Sequence, residues 1–182
     1  MKSKENKNII LGITGSIAAY KACGLVSLFR KSGFDISCIF TKEAAYFVTP
    51  LTLETLSGNK VYQDMFELPE NRMPQHTSLA DKADAIVIYP ASANIIGKLA
   101  NGICDDLLTC TIYASRAPVF IAPAMNDNMY NHKVVQKNIR ALKDIGYSFI
   151  GPDAGRLACG RTAIGHISPA EIVFAEVKRS IK

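Results

Sequence analysis

A histidine, a cysteine between arginines, two asparagines and a glycine-serine turn carry most of the site chemistry this sequence offers. His76 follows Pro74 and leads into a short helix at Thr77. Imidazole is the side chain best suited to moving protons near neutral pH. A lone loop histidine is more often polar surface, and a place ahead of a buried strand raises the catalytic reading only modestly. His166 has a weaker case, and His132 reads as surface. Cys159 lies in Leu157-Ala158-Cys159-Gly160-Arg161, with Arg156 on its other side. Positive neighbours favour the thiolate, and Arg156 or Arg161 can pair with a phosphate. The bland alternative is an inert small residue in a glycine-rich loop.

The two asparagines sit in similar settings. Pro90-Ala91-Ser92-Ala93-Asn94 follows the apolar run Ala85 to Tyr89, and Pro123-Ala124-Met125-Asn126 follows Val119 to Ala122. Short apolar runs bounded by turn signals read as buried parallel strands. An amide offers both a donor and an acceptor, so it can hold a carboxylate or a ring edge without ionising. Ser92 and Asn94 taken singly read as helix caps. The repeat of proline, small residue and amide at two strand ends favours a binding site on one sheet edge.

Gly12-Ile13-Thr14-Gly15-Ser16-Ile17-Ala18 forms a third candidate. A strand entering a helix through Gly-Ser presents backbone N–H groups and a hydroxyl to an anion. Ala18 stands where the dinucleotide fingerprint has its third glycine, and no Gly-Lys-Ser/Thr follows. A mononucleotide phosphate therefore fits better than NAD, with a simply capped turn about equally favoured. Thr41, after the next strand, can add a hydroxyl on the same edge, although a lone threonine is more often a cap.

These residues need a scaffold of alternating elements. Strands are expected at Asn8–Ile13, Phe34–Phe40, Asp84–Tyr89, from Pro118, and at Tyr147–Ile150. Helices are expected at about Ile17–Lys31, with Gly33 just beyond its end, and near Leu51–Leu56, Thr77–Lys82, Asn94–Ala100, Asp105–Ala114, Val134–Asp144 and Pro169–Lys178. Asp64–Gln75 and the glycine-rich Gly151–Gly165 read as loops. The alternation implies a parallel sheet with helices on both faces.

At 182 residues, with no linker or repeat, one domain with a full core is expected. The net charge of +5 is spread along the chain and forms no basic, aromatic stripe, which argues against nucleic acid. A mild positive field still favours phosphorylated small molecules. The five cysteines include no CxxC, so neither a disulfide framework nor a metal site is expected. With no apolar leader and no membrane-length run, the cytoplasm is the expected compartment and no membrane partner is expected.

In this order and spacing the motifs resemble the homo-oligomeric flavin-containing cysteine decarboxylases, from about Asn8 to Ala175. Gly15-Ser16-Ile17-Ala18 resembles the family's FMN-phosphate turn. Pro90 to Asn94 resembles its Pro-Ala-Ser-Ala-Asn-Thr motif, and Pro123 to Tyr130 its Pro-x-Met-Asn-x-x-Met-Trp motif. Leu157 to Gly160 resembles the Leu-Ala-Cys-Gly clamp of the coenzyme A branch. The resemblance implies an α/β, Rossmann-like (flavodoxin-like) single domain over 1–182, with a polar tail at about 1–7 and a substrate clamp at about 151–167.

It further implies FMN held by Gly15, Ser16, Ile17, Thr41, Ser92, Ala93, Asn94 and Ala124. His76 is then the base near the substrate thiol. Asn126 holds the carboxylate of a C-terminal cysteine, with Met125, Leu157, Ala158 and Arg161 completing the substrate site. FMN oxidises the thiol to a thioaldehyde, carbon dioxide leaves, and an enethiolate remains; Cys159 donates the proton when the electrons return. The implied substrate is 4′-phosphopantothenoylcysteine, giving 4′-phosphopantetheine, in a trimer or dodecamer with the flavin between subunits.

A peptidyl-cysteine decarboxylase is the runner-up, and Cys159 argues against it. Prenyl-flavin synthases share the fold but not the Pro-x-Met-Asn match. A flavoprotein regulating a phosphatase, with an acidic tail unlike this basic end, and a plain nucleotide-binding module are the remaining alternatives. Ile95 and Tyr130 replace the usual Thr and Trp, and Arg161 to His166 is less glycine-rich than the family run. Since the chain ends near Lys182, no fused synthetase domain is expected.

Overall fold

The computed structural model describes residues 7–67 and 73–181. Residues 1–6 of the expected tail at about 1–7, the centre of the 64–75 loop with Pro69, and Lys182 lie outside the described residues. In chain order the strands are β1 (Asn8–Ile13), β2 (Asp35–Phe40), β3 (Val61–Tyr62), β4 (Ala85–Ala91), β5 (Val119–Pro123), β6 (Ser148–Phe149), β7 (Asp153–Arg156) and β8 (Thr162–His166). The helices are α1 (Ala22–Lys31), α2 (Pro50–Ser57), α3 (Gln75–Lys82), α4 (Ala93–Ala100), α5 (Leu107–Ala114), α6 (Asp127–Asn131), α7 (Lys133–Asp144) and α8 (Ala170–Ser180).

β3, β2, β1, β4, β5 and β6 form one parallel sheet in that spatial order. This is the doubly wound order, so the Rossmann-like expectation holds. The order reverses between β1 and β4, and ligands bind outside the strand ends at such a reversal. β4 is buried along its whole length, as a central parallel strand covered on both faces must be.

Alternate residues of β1 feed two cores. Ile9, Leu11 and Ile13 face α1 and α8, meeting Leu25, Val26, Phe29, Val173 and Val177. Phe29 packs edge-on against Phe34 at 5.4 Å and Phe174 at 5.1 Å between ring centres. Ile10 faces the other layer, with Leu79 of α3, Ile95 and Leu99 of α4, Leu107 and Leu108 of α5, and Leu142 of α7. Gly12 points into that layer: a Cβ there would sit 2.6 Å from Leu108 Cδ1. A side chain at 12 would force the buried Leu108 side chain of α5 to shift.

Several local expectations need correction. The segment Ile17–Lys31 is not one helix: Ile17–Lys21 is 3₁₀ and α1 starts at Ala22. Ser16 caps the tighter turn, its Oγ accepting from Ala18 N–H at 3.3 Å. The stretch 151–165 is not irregular; β7 and β8 pair as an antiparallel hairpin. Its glycines and charges hide the alternation that marks a strand. β3 and α6 were not expected; each is too short to show a period. Gly33 does follow the end of α1, with φ +83°.

Candidate functional site

The carboxyl ends of β1, β4 and β5 are fastened together by the chain's own hydrogen bonds. Thr14 is buried, and its hydroxyl donates to the Pro90 carbonyl at 2.8 Å. The same oxygen accepts from Ser92 N–H at 2.9 Å. Ala124 N–H donates to the Ala91 carbonyl at 3.0 Å. Gly15 allows the first turn to pass close to Glu43, whose Cβ would lie 2.6 Å from a Cβ at 15. The hairpin is seated on the third strand end, with Met125 N–H donating to the Gly165 carbonyl at 3.2 Å. Gly165 has φ +125°, and a Cβ there would lie 2.3 Å from the Met125 carbonyl oxygen.

These segments enclose a cavity of about 790 Å³. Gly15, Ser16, Ile17 and Lys21 form one wall, Ser92, Ala93 and Ala124 the strand-end floor. Met125, Asn126 and Met129 face the hairpin residues Arg156, Leu157, Ala158 and Cys159. So Gly15, Ser16, Ile17, Ser92, Ala93, Ala124, Met125, Asn126, Leu157, Ala158 and Cys159 meet at one cavity, as a single sheet edge requires.

The remaining candidates lie elsewhere. Asn94 is exposed on the first turn of α4 and does not line the cavity. Arg161 is beside the cavity, not in its lining, and pairs with Asp127. His76 is half-buried on α3, a helix that packs in the second core layer, and is also outside the lining. Thr41 is 7 % exposed, and its hydroxyl has no hydrogen-bond partner among the described residues.

Asn126 has its two ends committed differently. Its Oδ1 caps α6 by accepting from Asn128 N–H at 2.9 Å. Its Nδ2 donates to Cys159 Sγ at 4.0 Å. The thiol is exposed, and the Arg161 backbone N–H, then its guanidinium, hold it below the usual thiol range. On the opposite rim His166 bridges two cavity walls. Its Nδ1 lies 3.3 Å from the Arg156 carbonyl and its Nε2 2.9 Å from Lys21 Nζ. A neutral ring that donates from Nδ1 and accepts at Nε2 satisfies both.

The family model described as "Flavoprotein" matches residues 1–182. The chain belongs to the flavoprotein family. It is 48% identical to the coenzyme A biosynthesis bifunctional protein CoaBC of Bacillus subtilis over 166 residues, which is 91% of this chain and 41% of that protein. The chain thus spans about two-fifths of the length of such bifunctional relatives. It is 37% identical to a probable phosphopantothenoylcysteine decarboxylase of Streptococcus mutans, covering 96% of this chain and 99% of that one. Among solved structures it resembles a PPC decarboxylase mutant complexed with pantothenoylaminoethenethiol, with TM-score 0.86, 30% identity and coverage of 97% and 98% of the two chains.

The residues of this flavoprotein fit a flavin mononucleotide. The cavity lies within the range of about 300–1,000 Å³ typical of cofactor sites. Its walls offer small and apolar side chains to a flat ring, and the Gly15–Ser16 turn offers N–H groups to a phosphate. Thr41 does not line the cavity; its buried hydroxyl, just past β2 at the same sheet edge, is without a partner among the described residues. Among the described residues no cluster of His, Cys, Asp or Glu is placed to hold a metal ion. No described helix is long and apolar enough to cross a membrane.

Sequence reasoning passed over Thr14, Lys21 and Asp127. Thr14 stood inside a quoted motif, but only the fold shows that its hydroxyl joins two strand ends. Lys21 and Asp127 find their partners 145 and 34 residues away, which one sequence does not reveal.

Proposed function

We propose that this chain is an FMN-dependent decarboxylase of cysteine conjugates, converting 4′-phosphopantothenoylcysteine into 4′-phosphopantetheine. The observation that carries this reading is the convergence of the Asn126 amide and the Cys159 thiol, 4.0 Å apart, at a cavity walled on one side by the phosphate-type turn of Ser16. The similarity to the Streptococcus mutans protein along nearly its full length supports it. Residues 1–182 work as one catalytic domain, with 151–167 as the clamp.

The Ser16 turn and Thr41 hold the phosphate side of the cofactor, and Ser92, Ala93 and Ala124 border its ring. Bound FMN supplies the two-electron chemistry on the substrate thiol. Asn126 donates from its amide nitrogen to the substrate carboxylate and orients it for loss as carbon dioxide. Leu157 and Ala158 cover the substrate and exclude water. Cys159 gives a proton to the product carbon. A proton donor works best with a pKa near the working pH, and Arg161 moves the thiol in that direction. His76 takes the substrate thiol proton. Because His76 does not line the cavity of its own chain, the proposal assigns it to the cavity of a second copy, in a trimer or a dodecamer of trimers.

The test is product analysis. Purified protein with FMN is incubated with 4′-phosphopantothenoylcysteine or with a peptide ending in cysteine, and products are identified by mass. Pantetheine phosphate from the first supports the proposal. Turnover of the peptide alone replaces it with the peptidyl reading, and no turnover of either removes it.

A further inference from the structure

Arg161 closes the turn of the β7–β8 hairpin, and its guanidinium reaches across to α6. Nη2 lies 2.7 Å from Oδ1 of Asp127, the first residue of α6 and the neighbour of Asn126. The Asp127 side chain is 17% exposed against 54% for Arg161, so the guanidinium covers a carboxylate that is already largely shielded. The pair joins the hairpin tip to the β5–α6 segment, the two walls between which Cys159 and Asn126 meet. The tip is itself a closed turn: Leu157 N–H donates to the Arg161 carbonyl at 2.8 Å, and Gly160 N–H to the Leu157 carbonyl at 2.9 Å. Arg161 therefore cannot move away without carrying Cys159 with it.

We infer that Arg161 and Asp127 form a latch that holds the hairpin tip over the cavity and fixes the Cys159 thiol beside Asn126. Both are positioning residues, and Arg161 is spent on Asp127 instead of a substrate phosphate. The inference rests on the geometry of closure and not on the reaction proposed above. The two charges act on the thiol in opposite senses: Arg161 favours the thiolate and Asp127 disfavours it. The other titratable groups lining the cavity are Tyr20, Lys21, Arg156 and His166.

The test uses the purified full chain with four variants: Arg161→Met, Asp127→Asn, Arg161→Lys and the exchanged double Arg161→Asp/Asp127→Arg. Hydrogen exchange reads the Leu157 and Gly160 amides. The pH dependence of iodoacetamide alkylation at Cys159, located by mass spectrometry, reads the thiol. Either single loss of charge speeds exchange at the tip roughly two- to fivefold, the size expected for a partly exposed pair. The alkylation midpoint moves up in Arg161→Met and down in Asp127→Asn. Arg161→Lys keeps a charge and falls between Arg161→Met and the parent in exchange. The exchanged double restores slow exchange while placing a carboxylate beside the thiol, so its midpoint moves up.

Unchanged exchange at the tip in Asp127→Asn overturns the latch. So does fast exchange in the exchanged double, or a parallel rise in the β1 amides, which marks general loss of stability instead of an open tip.

Discussion

Replacing Thr14 with Val removes one hydroxyl and leaves a side chain of nearly the same shape. That hydroxyl is the tie between the ends of β1 and β4, donating to Pro90 and accepting from Ser92. The Pro90 carbonyl is buried, and leaving it without a donor costs about 1–3 kcal/mol. The Ser92 N–H is only half-buried and can recover a water, so its loss adds about 0.5–1 kcal/mol. The sum is about 1.5–4 kcal/mol. For a chain of 182 residues each kcal/mol shifts the melting temperature by roughly 2–4 °C, so Tm should fall by about 3–16 °C. The assay is thermal melting of flavin-free protein, so that lost ligand stabilisation does not mix with lost structure. Thr14→Ser keeps the hydroxyl and should stay close to the parent. A Thr14→Val protein melting within about 1 °C of the parent would refute the claim that this hydroxyl fastens the site floor.

Three further outcomes follow from the same geometry. Gly165→Ala should undock the hairpin, because the position has φ +125° and a Cβ would meet the Met125 carbonyl at 2.3 Å; limited proteolysis should then cut between 157 and 161 while the sheet stays intact. Gly12→Ala should cost about 1–3 kcal/mol by overpacking against buried Leu108, read as a lower urea midpoint at constant slope. Asp106 caps α5 and pairs with Lys98 at 2.8 Å. Burial raises its pKa, but the hydrogen bonds from Lys98 and Thr109 outweigh burial and leave it below the usual carboxylate value. A depressed folded pKa gives stability that is present above the unfolded value, near about 3.9, and is lost as pH falls through the folded value. Asp106→Asn should therefore lower Tm at pH 7 and converge with the parent in acid, and equal Tm at pH 7 would remove the contribution.

The sheet was legible because its strands are apolar runs of useful length, and β1, β2, β4 and β5 were all found. The strand order was not written in those runs; it follows from crossovers that a single sequence does not specify. The cavity floor was legible too, since a proline ends each strand and a small or amide residue follows. The hairpin was misread for a physical reason. Gly155 and Gly165 are there because His166 and the Met125 backbone press against them, and the same residues read locally as loop. His76 marks a different limit: its type points to a role, while its place on α3, packed with the second core and outside the cavity lining, is visible only in the fold.

That division between floor and cover has a consequence for how the cavity works. The floor is bound by buried hydrogen bonds at Thr14 and Ala124, inside strands whose side chains fill the core. The cover is a two-stranded ribbon, and such a ribbon is marginal by itself. It is held by one backbone bond at Gly165, an exposed ion pair at Arg161 and the His166 bridge to Lys21. Local opening follows the weakest set of contacts. The hairpin should therefore open well before the sheet does, exposing Met125 and Asn126 while the Ser16 turn stays in place. A ligand held mainly by the floor can then remain bound while a second one enters and leaves under the cover. Hydrogen exchange faster at residues 157–161 than at 14–18 is the measurement that separates this order from a cavity that opens as a whole.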